Sequence, residues 1–206
     1  MLMRMLRWSA RSILGVGLLL ICATASAQVD IGASAPDFTL TDIRGEAVSL
    51  SAYAGKTVVL EWTNYDCPFV KKHYSGGHMQ ALQSEAAGRG VVWLSVNSSA
   101  AGKQGHFTPE QWLARSSEAG VASEKILLDP SGEVGRAYGA KTTPHLFIVD
   151  PKGKVVYQGA IDDRPTTNAE DIAGAKNYVR QALDELEAGK PVSEPVTAAY
   201  GCSVKY

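Results

Sequence analysis

The hydrophobic pattern of the chain alternates between short apolar runs and amphipathic stretches. Val48-Ser49-Leu50 alternates as a half-buried strand does, and together with segment 36–40 and the turn 44–46 it predicts an N-terminal hairpin. Continuous apolar runs rich in β-branched residues are typical of buried strands. Such strands are expected at 56–62, 91–96, 126–128 and 146–149, and a turn at 150–153 leads from the last of these to a hairpin partner at 154–158.

Helical stretches separate these strands. The first is expected to begin at Pro68 and to break at Gly76-Gly77, because two glycines cost about 2 kcal/mol of helix propensity. Apolar spacing predicts one amphipathic helix over 168–187, ended by Gly189 and Pro191. Further helices are expected at 79–87, 109–118 and 133–138. The order of strands and helices indicates an α/β domain with a single core.

The first 27 residues have the three parts of a secretory signal peptide. Arginines at positions 4, 7 and 11 precede the apolar stretch 13–23, and Ala25-Ser26-Ala27 supplies a cleavage site of small residues. The stretch is shorter than the roughly 20 apolar residues that span a membrane, so a retained anchor is the weaker interpretation. The sequence therefore predicts a signal peptide at 1–27, export to the periplasm or beyond, and no membrane anchor after cleavage.

Charge and cysteine content narrow the possible functions. The formal net charge is −1 at pH 7 and the lysines are scattered, so no basic surface for nucleic acid or anionic lipid is expected. Beyond the expected signal peptide the chain keeps two cysteines, Cys67 and Cys202. An exported protein meets an oxidising environment in which disulfides persist.

Cys67 lies where the buried strand 56–62 gives way to the helix that begins at Pro68. Proline suits the first helical position, which leaves Cys67 at the N-cap, facing the positive end of the helix dipole. That environment favours the thiolate, which is the nucleophilic form. The alternative is a small, buried, unreactive cysteine.

This junction resembles the active-site segment of the thioredoxin superfamily, in which strand, acid, aromatic residue, cysteine and helix follow in that order. Glu61 lies six residues before Cys67, as the buried acid of thioredoxins does, whereas Val70 stands where their second cysteine would be. The stretch is also similar to redoxin and peroxiredoxin-like (AhpC/TSA-type) sequences, some of which keep a single cysteine here. The peroxiredoxin pattern is incomplete, since Asn64 replaces a threonine.

The resemblance implies a thioredoxin fold: a central mixed β-sheet flanked by helices, here with an N-terminal β-hairpin extension and an inserted helix. The expected organisation is a thioredoxin-like (redoxin) domain at 28–189, followed by a C-terminal tail at 190–206 that carries Cys202. Thr143-Pro144 matches the cis-proline loop beside the reactive sulfur. The backbone of Thr143 is then expected to pair with an extended substrate, while His145 either shapes this site or packs beside it.

Ionisable groups near Cys67 have two interpretations each. If Glu61 points inward, burial raises its pKa and it can act as a general base or acid; otherwise it faces solvent. Lys71 is expected on the face of Cys67, whereas a solvated basic face is favoured for Lys72. For Asp162 a solvated turn is favoured over a place in the active site.

These features predict an exported thiol oxidoreductase in which Cys67 attacks a protein disulfide or a peroxide, with an external thiol as reductant. Cys202 is the candidate resolving thiol; a permanent disulfide that braces the tail and a free thiol remain open. No cofactor is expected. Cys67, His73 and His145 do not have the spacing of metal ligands, so no metal site is expected, and a copper-binding or redox-inactive protein is the alternative function.

Overall fold

The computed structural model describes residues 28–206, so the expected signal peptide lies outside the described residues. Within the described part, no helix has the length and apolar character needed to cross a membrane. The first two strands of the described part form an antiparallel hairpin, in which Thr39 pairs with Ser49. The strands are β1 (Thr39–Asp42), β2 (Ala47–Ser49), β3 (Val58–Trp62), β4 (Val92–Asn97), β5 (Lys125–Leu128), β6 (Thr142–Thr143), β7 (His145–Val149), β8 (Val155–Gly159) and β9 (Cys202–Ser203).

Seven of these strands form one mixed sheet in the order β2-β1-β5-β4-β3-β7-β8. β3, β4 and β5 are parallel, whereas β7 and β8 form an antiparallel hairpin beside β3. The helices are α1 (Pro68–Ser75), α2 (His78–Gly88), α3 (Pro109–Glu118), α4 (Glu133–Tyr138) and α5 (Tyr178–Glu187). The expected thioredoxin fold with an N-terminal hairpin and an inserted helix is therefore confirmed.

The two faces of the sheet bury separate apolar clusters, as period-2 side-chain alternation requires. Val59 and Trp93 belong to the cluster covered by helices, whereas Leu60 and Leu94 pack on the opposite face. β3 and β4 are buried along their whole length, which explains their continuous apolar sequences. This rigid pair of strands fixes the point from which the chain enters α1.

The expected helix over 168–187 is wrong in its first half. Residues Ala169–Gly174 form a 3-10 turn, and α5 begins only after Asn177. The Asn177 side chain accepts a hydrogen bond from the Arg180 N–H at 2.8 Å and so caps α5. The apolar spacing that suggested one helix is thus shared between two elements with a break between them.

Candidate active site

Cys67 is the N-cap of α1, as the sequence predicts, and Pro68 occupies the first turn. The Cys67 carbonyl oxygen accepts hydrogen bonds from the N–H groups of Val70 at 3.0 Å and Lys71 at 2.9 Å. The side chain is fully buried, with 0% relative exposure. The thiol therefore lies at the positive end of α1 but is shielded from solvent by another part of the chain.

The Thr143-Pro144 peptide bond is cis, which confirms the sequence prediction. It lies directly against the sulfur of Cys67, because the Cys67 Sγ atom is 3.1 Å from the Thr143 carbonyl oxygen. β3 and β7 are neighbouring antiparallel strands, with Trp62 opposite His145. This pairing brings the end of β3 and the loop before β7 together at one edge of the sheet.

The shielding segment is the C-terminal tail. β9 pairs antiparallel with β6, and Cys202 lies opposite Thr143. The two sulfur atoms of Cys67 and Cys202 are 2.6 Å apart, and both residues are free cysteines. Gly201 makes this approach possible: its φ is +137°, and a Cβ atom there would lie 2.1 Å from the Thr143 carbonyl oxygen.

The two thiols differ in acidity. Burial raises the pKa of Cys67, but the hydrogen bonds that Cys67 makes with Cys202, Thr143 and Val70 together outweigh burial, so the pKa lies below its ordinary value. Burial, together with the hydrogen bond to Cys67 and its charge, raises the pKa of Cys202 to about 11. Cys67 is therefore the more acidic thiol of the pair and the first to become a thiolate as the pH rises.

Glu61 points inward, where its side chain has no exposed surface. Its carboxylate accepts hydrogen bonds from Trp93 Nε1 at 2.9 Å, Gln83 Nε2 at 3.2 Å and Ser95 Oγ at 3.3 Å. The hydroxyl group of Tyr74, on α1, lies 3.1 Å from both carboxylate oxygens. Burial nevertheless raises the pKa of Glu61, as expected for an inward-facing acid, because these donors only partly oppose desolvation.

Similarity to known proteins assigns the chain to a family. The profile of the AhpC/TSA family matches residues 31–158. The chain belongs to the AhpC/TSA family. It is 29% identical over 132 residues to the thiol-disulfide oxidoreductase ResA of Geobacillus thermodenitrificans. This alignment covers 64% of this chain and 70% of ResA. It is also 30% identical over 200 residues to mouse peroxiredoxin-2, covering 88% of this chain and 97% of peroxiredoxin-2.

Among solved structures, an uncharacterised conserved protein from Geobacillus kaustophilus is similar with a TM-score of 0.74 and 31% identity, covering 87% of this chain and 93% of that protein. The family and the relatives together show that the protein is a thiol oxidoreductase of the thioredoxin fold.

His145 of this AhpC/TSA protein is buried, with 2% exposure. Its Nδ1 atom accepts a hydrogen bond from the Lys141 N–H at 3.2 Å, and its ring packs on Phe147 at 4.5 Å between centroids. Burial lowers the pKa of His145 to about 4, so the imidazole is neutral at pH 7. Of the two sequence interpretations, these contacts favour packing behind the cis-proline loop; a substrate contact remains a prediction.

The solvated interpretations of Lys72 and Asp162 are wrong. Both side chains are buried, and Lys72 Nζ lies 3.6 Å from Asp162 Oδ2. Lys72 Nζ also donates a hydrogen bond to the Arg164 carbonyl at 2.6 Å. Lys71, in contrast, is exposed. A buried charge needs a partner, and the sequence could not show that the segment after β8 supplies one for α1.

The path of the tail was missed by sequence reasoning. Thr197 Oγ1 accepts a hydrogen bond from the Ala160 N–H at 2.9 Å and bonds the Tyr157 hydroxyl at 2.7 Å. Beyond Cys202, the Val204 N–H donates to the Lys141 carbonyl at 3.0 Å. The tail is thus held on both sides of Cys202, although it has no regular apolar spacing that could have predicted its path.

Within residues 28–206, no group of three or more His, Cys, Asp or Glu side chains could hold a metal ion. The histidines considered with Cys67 have other partners: His73 Nε2 bonds the Tyr200 hydroxyl at 3.2 Å, and His145 bonds the backbone of Lys141.

Proposed function

We propose that this protein is an exported thiol oxidoreductase in which Cys67 is the nucleophile and Cys202 the resolving thiol of one intrachain couple. The observation that carries the proposal is the 2.6 Å separation of the two sulfurs, with Cys202 paired to the backbone of Thr143. The export part of the proposal is supported by the signal-peptide pattern at 1–27.

With a disulfide substrate, the Cys67 thiolate attacks one sulfur and expels the other as a thiolate, leaving a mixed disulfide on Cys67. The Cys202 thiolate then attacks the Cys67 sulfur and expels the second substrate thiolate. The substrate gains two electrons and two protons as a pair of thiols, and the enzyme keeps a Cys67–Cys202 disulfide. An external thiol reductant restores the dithiol by two similar exchanges.

With a hydroperoxide, Cys67 attacks the outer oxygen, the alcohol leaves, and Cys67 becomes a sulfenic acid. Cys202 then displaces water and forms the same disulfide. Both routes converge on one oxidised form, so the couple can serve either substrate. The disulfide route has support from the ResA relatives, and the peroxide route from peroxiredoxin-2, by similarity alone.

The electrostatics of the pair support this order of events. Burial raises the pKa of Cys202, and so do the hydrogen bond to Cys67 and its charge. Once Cys67 is oxidised it can no longer become a thiolate, so neither its charge nor this hydrogen bond raises the pKa of Cys202 any longer. The pKa of Cys202 then falls toward its ordinary value, so Cys202 becomes nucleophilic when resolution is needed.

The remaining predicted site residues have supporting roles in the proposal. Thr143 and Pro144 form the backbone edge on which an extended substrate pairs when the tail is displaced. His145 packs behind that loop. Glu61 exchanges protons within the buried network that reaches α1 through Tyr74, as a general acid or base.

The proposal is tested by mass spectrometry after the reduced protein is treated with hydrogen peroxide or oxidised glutathione. We expect a Cys67–Cys202 link that forms on oxidation and disappears with mild reductant. The Cys67→Ser variant should lose all reduction of disulfides and peroxide, and Cys202→Ser should instead accumulate the sulfenic acid or the glutathione adduct on Cys67. Activity of Cys67→Ser near the wild-type rate would refute the mechanism, and a link that resists reductant in the folded protein would show that Cys202 only braces the tail.

A further inference from the structure

A buried polar cluster joins α1, the segment after β8 and the tail. Lys72 and His73 come from α1, Asp162 follows β8, and Tyr200 comes from the tail two positions before Cys202. The Tyr200 hydroxyl makes a short hydrogen bond to Asp162 Oδ1, and its ring lies 5.6 Å from Lys72 Nζ. The proposed chemistry at Cys67 does not use any of these groups, so the cluster needs an explanation of its own.

The hydrogen atoms in this cluster can be assigned from the chemistry of the groups. Burial and the neighbouring Asp162 raise the pKa of Tyr200, so the phenol keeps its proton and donates it to the carboxylate. His73 Nε2, 3.2 Å from the same hydroxyl oxygen, must then be the donor of that second bond. Burial, partly opposed by Asp162, lowers the pKa of His73 to about 4, so the ring is neutral with its hydrogen on Nε2.

Tyr200 therefore makes one hydrogen bond to an ionised group and accepts another, both in a buried setting. Hydrogen bonds to charged groups are about twice as strong as those between neutral groups. Asp162 has two partners outside the tail: its Oδ2 atom lies 3.6 Å from Lys72 Nζ, and its Oδ1 atom accepts a hydrogen bond from the Arg164 N–H at 2.9 Å. Tyr200 thus binds the tail to a polar site, here called the socket, that is formed by Lys72, His73 and Asp162.

The position of Tyr200 in the tail gives this contact its importance. Gly201 alone separates it from Cys202, and an extended chain covers only about 3.3 Å per residue. Little slack thus remains between the socket and the sulfur. Without Tyr200, the nearest upstream side-chain anchor is Thr197, five positions before Cys202.

We propose that Tyr200 is the positioning residue that keeps Cys202 over Cys67. By holding the tail on the backbone of Thr143, Tyr200 also prevents an extended peptide from pairing there. The inference rests on the proposed Cys67–Cys202 couple and adds the contact that determines which partner Cys67 meets. A strand edge pairs with one partner at a time, so a tail held here competes with every external peptide at high effective concentration.

The test uses Tyr200→Phe, which removes only the hydroxyl group and leaves the Lys72–Asp162 pair intact. Tyr206→Phe is the matched control, because the Tyr206 hydroxyl donates to the Ala140 carbonyl at 2.7 Å on the other side of Cys202. The first measurement is the equilibrium between the Cys67–Cys202 disulfide and glutathione redox buffers.

Loss of a charge-assisted hydrogen bond corresponds to about tenfold or more in an equilibrium constant. Without this bond the tail of the reduced protein is released, whereas the disulfide still holds the oxidised tail in place. We therefore expect Tyr200→Phe to form its intrachain disulfide up to about tenfold less favourably than the wild type, and Tyr206→Phe to change this equilibrium by less than about threefold. A residue that only stabilised the fold would lower the unfolding temperature without changing the redox equilibrium.

The second measurement follows the thiol of Cys67 in a Cys202→Ser background. A peptide with one activated disulfide should form a mixed disulfide with Cys67 about tenfold faster after Tyr200→Phe is added, whereas Tyr206→Phe should leave the rate nearly unchanged. Equal values for wild type and Tyr200→Phe in both measurements would overturn the positioning role, as would equal effects of the two tyrosine variants. If the wild type forms no Cys67–Cys202 disulfide at all, the proposed function itself fails, which is a different result.

Discussion

Oxidation of Cys67 and Cys202 is expected to stabilise the protein substantially. The couple joins residues 135 positions apart, so its disulfide closes a loop that includes most of the described chain. In the unfolded state such a link removes many conformations, whereas in the folded state the two sulfurs already lie side by side. The oxidised form should therefore unfold at a higher temperature than the reduced form.

The size of the effect follows from the loop length. The chain-entropy relation gives about 5 kcal/mol at 25 °C for a loop of this size. For a domain of 150–250 residues, each kcal/mol shifts the unfolding temperature by roughly 2–4 °C. The oxidised protein is thus expected to unfold about 10–20 °C above the reduced protein.

The assay is thermal unfolding of the chain without residues 1–27, prepared once in reductant and once after oxidation verified by mass spectrometry. Cys202→Ser is the control, because it cannot form the link and should give the same unfolding temperature in both preparations. The reasoning is refuted if the linked wild type unfolds within about 2 °C of the reduced one. That result would mean that the bond distorts the native site by as much as it restricts the unfolded chain.

Three further predictions concern single residues. Burial raises the pKa of Glu61 in the folded state, so the folded state keeps this proton to a higher pH than the unfolded state does, and the free energy of unfolding of the wild type falls as pH rises through the folded pKa. Urea unfolding of Glu61→Gln at several pH values should lack this fall, and parallel pH profiles of the two proteins would contradict the prediction. Gly201→Ala places a Cβ atom 2.1 Å from the Thr143 carbonyl oxygen, so the tail should leave Cys67 and alkylation of the Cys67 thiol should accelerate about tenfold or more. The control Ser203→Ala, at an exposed position, should not change this rate. The imidazole of His145 has a pKa of about 4, so its NMR signals should stay constant between about pH 6 and 8; a titration in that range would show that the ring reaches solvent.

The sequence predicts those parts of the site that have a local signal. An apolar strand followed by Cys67-Pro68 identifies the N-cap cysteine, and Thr143-Pro144 before the next apolar strand identifies the cis-proline loop. Glu61 stands out because a charged residue interrupts a buried strand. Each of these signals depends on residues within a few positions of one another.

The remaining parts depend on contacts between distant segments. Lys72 is buried because Asp162, far along the chain, meets α1 after β8, and no spacing within either segment indicates this pairing. Within 168–187 the amphipathic pattern correctly describes α5, but it does not show that the helix begins only after its N-cap, Asn177. Tyr200 acts through a cluster made by three separate elements, so its contact could only be seen in the fold.

Two glycines mark where the tail crosses the domain. At Gly159, whose φ is +148°, a Cβ atom would lie 2.2 Å from Thr197 Oγ1, and at Gly201 it would meet Thr143 in the same way. These positions form a sequence signature that needs no structure: one cysteine before a helix-starting proline, a glycine closing the last long strand of the sheet, and a Gly-Cys pair after the final helix. In other chains that carry this combination, the C-terminal tail is expected to place its cysteine against the cysteine before the helix, even where the local Cys-x-x-Cys pattern is missing.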